Sequence, residues 1–226
     1  MRDASKLISR RDAGGDLTLI TVSVPETIRA SYTRSGQYVR VFAGESDGYF
    51  VLASQPLASD WELLVRSAGD AAHHILAVPV GGSVEVSPAQ GPGFPLEEAR
   101  GQSVVIAVVA SAIGAARSVI RQRLADGDVA NTTLYIGARD AARLPLANEI
   151  DEWTRAGIRE VVCVSQRGEQ ERGGAVRGYV QTVLASEIAR GALVPGTRVF
   201  TAGPAEMMSD IVALGAKHAF GVYTNV

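Results

Sequence analysis

Val104-Val105-Ile106-Ala107-Val108-Val109-Ala110-Ser111-Ala112-Ile113-Gly114-Ala115-Ala116-Arg117-Ser118-Val119-Ile120 passes from an unbroken apolar run, through a turn of small residues, into an amphipathic segment. It reads as strand, tight loop and helix. Such a unit leaves backbone N–H groups and the positive end of a helix dipole facing outward, where they suit a nucleotide's pyrophosphate. Upstream of it the chain reads as all β. Downstream, strand alternates with helix.

Working outward, residues 17–24, 38–42, 49–53, 61–66 and 83–87 are short β-prone runs separated by Gly, Pro, Asp and Ser. That pattern predicts a small antiparallel barrel, with a short helix over 71–80 crossing one end. The densest Gly/Pro stretch, 88–95, places a boundary just beyond it and divides the chain into a β-barrel domain, 1–98, and an α/β domain, 99–226. In the second part, strands are expected at 104–109, 132–137, 160–164, 198–202 and 219–226, as in a parallel α/β sheet. One intervening helix sets Leu146, Ile150 and Trp153 on one face, with Glu149, Asp151 and Glu152 elsewhere, and stops at Gly157. A second turns Val180, Val183, Leu184 and Ile188 inward and ends at Gly191. A third opens at Pro204 and carries Met207, Met208, Ile211, Val212 and Leu214 before Gly215.

Composition excludes several classes of function. The net charge of −2 arises from scattered residues, so nothing marks a nucleic-acid or anionic-membrane surface. Cys163 is the only cysteine, which excludes an internal disulfide framework and an iron-sulfur cluster held by cysteines of this chain. No apolar stretch reaches the roughly 18 residues of a membrane span, and the opening residues mix Arg2, Lys6, Arg10 and Arg11 with Asp3, Asp12 and Asp16. The expectation is a soluble cytoplasmic protein. His73 and His74 are adjacent and diverge on a helix, so no metal site is expected. Cys163, in an apolar strand, reads as a buried inert thiol. No Ser/His/Asp set, Cys/His set or carboxylate pair stands out, and no catalytic residue is assigned.

Five segments in order resemble the ferredoxin-NADP reductase superfamily: Arg34-Ser35-Gly36-Gln37-Tyr38-Val39, Phe50-Val51-Leu52-Ala53-Ser54-Gln55-Pro56, the loop 110–117, Leu134-Tyr135-Ile136-Gly137-Ala138-Arg139 and Ala202-Gly203-Pro204-Ala205-Glu206-Met207. The steps Ser165-Gln166 and Gly178-Tyr179-Val180-Gln181 resemble its branch of plant fruit proteins. The resemblance implies a flavin-binding barrel and an NAD(P)-binding domain, with hydride passing from nicotinamide to FAD between them. It implies FAD contacts at Tyr49, Phe50, Val51, Leu52 and Ser54, and at the turn Gly69 to Ala72. It implies pyridine-nucleotide contacts at Ala110, Ser111, Ala112 and Ile113, at Arg139, Ser165 and Arg167, and at Gly203, Pro204 and Met207. A guanidinium beside the adenosine favours NADP over NAD. The implied partners are a pyridine nucleotide and a small redox acceptor or electron-carrier protein.

The departures are as informative. Where the family carries Arg-x-Tyr-Ser/Thr, this chain has Gly48, Phe50 and Val51; the Gly-x-x-Ser turn ends in Ala72; the loop glycines are Ala110 and Ala112; and a cysteine is replaced by Ala202. Weak FAD binding is therefore expected. So is a dinucleotide loop that has either shifted to ordinary backbone angles or holds its ligand farther out, with Gly114 restoring some freedom and with weak nucleotide binding. The alternative is a reductase-shaped nucleotide-binding or partner-docking module with weakened or lost redox activity.

Overall fold

The structure, a computed structural model, describes residues 3–166 and 174–226. The first part consists of β1 (Asp3–Gly14), β2 (Leu17–Ser23), α1 (Glu26–Arg29), β3 (Tyr38–Ala43), β4 (Ser46–Val51), β5 (Asp60–Arg66), α2 (Asp70–Ala77) and β6 (Ser83–Val86). The strands form an antiparallel sheet in the order β4-β3-β6-β1-β2-β5. It closes on itself through the Leu52–Leu63 bridge, where the Ala53 N–H donates to the Glu62 carbonyl at 2.7 Å. Alternate residues such as Val39, Val41, Leu63, Val84 and Val86 fill the barrel, and α2 plugs one end with Ala72 and Ile75.

Strand β1 has no counterpart in the sequence reading. Of its side chains only Ser5, Leu7 and Ala13 are buried, whereas Lys6, Ile8, Ser9, Arg10 and Arg11 are exposed, so the apolar alternation that marks a strand is missing. Pairing with β2 on one side and β6 on the other supplies the backbone hydrogen bonds that make this polar segment a strand.

The second part contains β7 (Val104–Val109), α3 (Ile113–Ala125), β8 (Thr132–Ala138), α4 (Ala147–Arg155), β9 (Arg159–Val164), β10 (Val176–Arg177), α5 (Val180–Ala189), β11 (Arg198–Ala202), α6 (Ala205–His218) and β12 (Gly221–Thr224). Its strands are all parallel, in the order β10-β9-β8-β7-β11-β12. The order reverses at β7, and such a switch point opens a crevice at the carboxyl ends of the strands. The two sheets share a core: Leu17, Leu19, Ala53 and Leu64 of the barrel pack in one cluster with Val104, Ile106, Ile113 and Ala116.

One helix reading is corrected. Helix α6 does not stop at Gly215 but runs to His218 and ends at Ala219, whose φ is 59°. A Cβ at position 215 would strike Val222 Cγ2, so this glycine serves the close approach of helix and strand. Val212 of this helix is exposed, while Met207, Met208 and Ile211 are buried. In α4, Glu149 lies off the apolar face, as expected, and is half-buried against two arginines described below.

Candidate functional site

A cleft of about 980 Å³ lies at the carboxyl ends of β7, β8, β9 and β11. Val109, Ala110, Gly137, Cys163, Ser165 and Pro204 are among the residues that line it from the sheet side, and Asp16, Arg66, Ser67 and Ala68 line it from the barrel. Arg66 and Arg139 approach it from the two domains, and neither has a carboxylate partner among the described residues. Arg143 also lines the cleft, but Asp16 and Asp140 lie 3.4 Å and 3.5 Å from it. At the rim, Tyr179 precedes the first turn of α5 and is 65% exposed. Two such guanidinium groups beside an open aromatic ring suit a ligand that carries both anionic oxygens and a flat base.

The structure brings Ala110, Arg139, Ser165, Pro204 and Met207 of the sequence-derived set to this cleft, and Gly203 adjoins it. Arg167 lies outside the described residues. Ser111 stands in the turn between β7 and α3, while the side chains of Ala112 and Ile113 are buried. Arg66 and Tyr179, which also line the cleft, are not singled out by the sequence. The signal for Tyr179 is a large aromatic one residue ahead of a helix at a strand's carboxyl end.

The dinucleotide loop departs from expectation. Ala110 keeps a left-handed conformation, φ 53°, whereas Ala112 is right-handed with φ −65°. The turn has therefore held its shape at the first position instead of relaxing, at a cost of about 1–2 kcal/mol for a residue with a Cβ. Gly114 supplies no flexibility; it sits in α3 where a Cβ would lie 3.3 Å from Ala53 Cβ. Ala110→Gly is expected to stabilise the protein by about 1 kcal/mol, raising the melting temperature by roughly 2–4 °C. Thermal unfolding of the variant checks this, and an unchanged midpoint would contradict the strain.

On the first half of α3, Arg117 is 1% exposed and ties three elements together. Its Nε donates to Glu149 at 2.7 Å, its Nη1 to Glu62 at 2.7 Å and to the Ala53 carbonyl at 2.9 Å, and its Nη2 to Glu62 at 3.1 Å. Arg11 of β1 also reaches Glu149, and Arg121 donates to Glu62 at 2.8 Å. Nearby, Tyr32 donates to the Ser54 carbonyl at 2.6 Å, and its hydroxyl lies 2.7 Å from Ser118. The start of α3 is thereby fixed to the barrel.

Burial works against the charge on Glu149, yet the Arg117 guanidinium outweighs it and holds the carboxyl below its usual range. A depressed carboxylate pKa adds stability above the unfolded value of about 4.3, and that stability is lost as pH falls through the folded value. Urea unfolding should therefore show a steady decline below about pH 4, and Glu149→Gln should lessen that acid slope. Cys163 is buried, and burial pushes its thiol up to about 12, as suits an inert packing residue.

On the barrel, Leu52 and Ser54 are buried, Phe50 and Val51 are half-buried, and Tyr49 is exposed, edge-on to Tyr38 with ring centres 5.7 Å apart. Gly69 precedes α2, Ala72 is buried beneath it, and Asp70 lies in its first turn. A Cβ at Gly48 would lie 3.1 Å from both Ala71 Cβ and Phe50 Cε2. Strand and helix are thus closely packed at this point, and a carboxylate stands in the first turn of α2.

Residues 111–213 match the family model described as an oxidoreductase NAD-binding domain. No curated protein matches the chain by sequence. Solved structures do. A ferredoxin NADP+ reductase from Neisseria gonorrhoeae with bound FAD and NADP is 16% identical with a TM-score of 0.81, covering 100% of this chain and 99% of that one. The flavohem-like FAD/NAD binding domain of nitric oxide dioxygenase from Vibrio cholerae O1 biovar El Tor is 16% identical with a TM-score of 0.76, covering 98% of each chain. The cytochrome b5 reductase domain of Ulva prolifera nitrate reductase is 12% identical with a TM-score of 0.75, covering 99% of this chain and 97% of that one. Among the described residues no helix is long and apolar enough to cross a membrane. With an antiparallel barrel, a parallel sheet and an oxidoreductase NAD-binding match in the second part, the chain has the two-domain fold of the ferredoxin-NADP reductase-like reductases.

Proposed function

We propose that the protein is an NAD(P)H oxidoreductase in which a pyridine nucleotide in the cleft gives hydride to a flavin on the barrel side. The observation that carries this reading is the pair of arginines without carboxylate partners among the described residues, Arg66 and Arg139, at a switch-point cleft with Tyr179 open at its rim. Arg66 and Arg139 neutralise the phosphates, and Tyr179 receives the adenine by stacking. Ala110 and Pro204 border the nicotinamide end, and the Arg117 cluster holds the loop against the barrel. The flavin supplies the two-electron chemistry when bound.

A domain division near residues 98–99, after the Gly/Pro stretch, belongs to this reading. NADP ahead of NAD rests on Arg139 and on the arginines beside the adenosine end. A kinship with the plant fruit proteins rests only on the two short steps at 165–166 and 178–181, and a cytoplasmic location on the single buried thiol. The partner that finally receives electrons is a small acceptor or a carrier protein. Calorimetric titration with NADPH tests the nucleotide site: saturable binding, weakened by Arg66→Ala, is expected. Absence of binding by the folded protein to both NADPH and NADH would overturn the reading.

A further inference from the structure

We propose that Arg117 is a positioning residue for hydride transfer: it fixes the gap between the two walls of the cleft and so sets the transfer rate, not the affinity for the nucleotide. The inference rests on the oxidoreductase reading above. Ala110 stands on one wall and leads through a short turn into α3, which carries Arg117. Arg66 stands on the opposite wall, at the end of β5. Glu62, which Arg117 grips with both terminal nitrogens, lies four residues earlier on that same strand. One ion pair therefore joins the elements behind the two walls, and the Ala53 carbonyl, 2.9 Å from Nη1, adds a second barrel contact.

Gly114, Arg117 and Ser118 are spaced i, i+3 and i+4, so they share one face of α3, and each meets the barrel. A Cβ at Gly114 would lie 3.3 Å from Ala53 Cβ and 3.6 Å from the Val51 carbonyl oxygen. Ser118 Oγ lies 2.7 Å from the Tyr32 hydroxyl and 2.8 Å from Ser35 Oγ. Glu149, held by Arg117 and by Arg11 of β1, adds α4 to the same joint. Because the helix carries its own backbone hydrogen bonds, pinning residues 114–118 also fixes the turn that opens it. Attraction between a guanidinium and a phosphate falls slowly with distance, whereas a transfer between two held groups is steep, and a misplacement of about 1 Å costs on the order of a hundredfold. A slackened joint is therefore felt by the transfer step before it is felt by binding.

The test uses the full chain and three variants. Arg117→Lys keeps the charge but loses the fork, and Glu62→Gln removes the carboxylate that Arg117 grips. Ile158→Ala removes a buried side chain just before β9, at the end of the sheet opposite the cleft, and controls for lost stability alone. Arg117→Lys and Glu62→Gln should slow single-turnover reduction of added flavin by NADPH about ten- to hundredfold, with the calorimetric NADPH dissociation constant within about threefold of the parent. With no flavin present, amide hydrogen exchange over residues 110–118 should rise in these two variants and not in Ile158→Ala, which should keep the parent's rate. Slowing of less than tenfold in both variants, unchanged exchange, a dissociation constant that rises as much as the rate falls, or equal slowing in Ile158→Ala would each overturn the positioning role while leaving the oxidoreductase reading intact. Absence of flavin reduction by the folded parent protein with both NADPH and NADH would instead sink that reading, and this inference with it.

Discussion

Arg117→Met is expected to destabilise the protein by about 3 kcal/mol, because it removes the buried cation shared by two half-buried carboxylates and leaves Glu62 only Arg121 and Glu149 only Arg11. The methionine fills much of the space, so the loss is chiefly electrostatic and not a cavity. Arg117→Lys keeps the charge but cannot span Glu62, Glu149 and the Ala53 carbonyl together, so it should recover only part of the stability. Arg121→Met removes a more exposed partner of the same Glu62 and should change stability by less than about 1 kcal/mol. Urea unfolding of the three variants checks the order. Equal stability of Arg117→Met and the parent would show that the cluster contributes only geometry.

The second large effect is expected on nucleotide binding. Arg66→Ala removes a charge-assisted hydrogen bond of about 1.5–3 kcal/mol, a ten- to hundredfold rise in the NADPH dissociation constant. Tyr179→Ala removes a base platform of about 1–3 kcal/mol. The two residues stand on different domains, so their effects should add in the double variant. Calorimetry measures all three. Arg66→Ala binding NADPH as tightly as the parent would place the phosphates elsewhere in the cleft.

The parallel sheet is legible in the sequence because a continuous apolar strand such as Val104–Val109 is bounded by polar turns and amphipathic helices. The first strand is not, since its pairing on both edges needs few buried side chains and leaves a charged sequence. Gly215 misleads in the same local way: a glycine near a helix end reads as a stop, and only the distant Val222 explains it. In the site, Ala110, Arg139, Ser165 and Pro204 can be found from their places at strand ends. Arg117 cannot be weighed, because its partners Glu62 and Glu149 lie 55 and 32 residues away and meet only in the folded chain. The close packing around Gly48 is likewise a property of α2 lying on β4, invisible in the strand's own residues.

The most direct test of the account is anaerobic stopped-flow mixing of the protein and free flavin with NADPH, following the flavin's visible absorbance. The account predicts bleaching that requires the protein, saturates with NADPH and slows in Arg66→Ala. No bleaching with NADPH or NADH, by a protein shown to be folded, would contradict it.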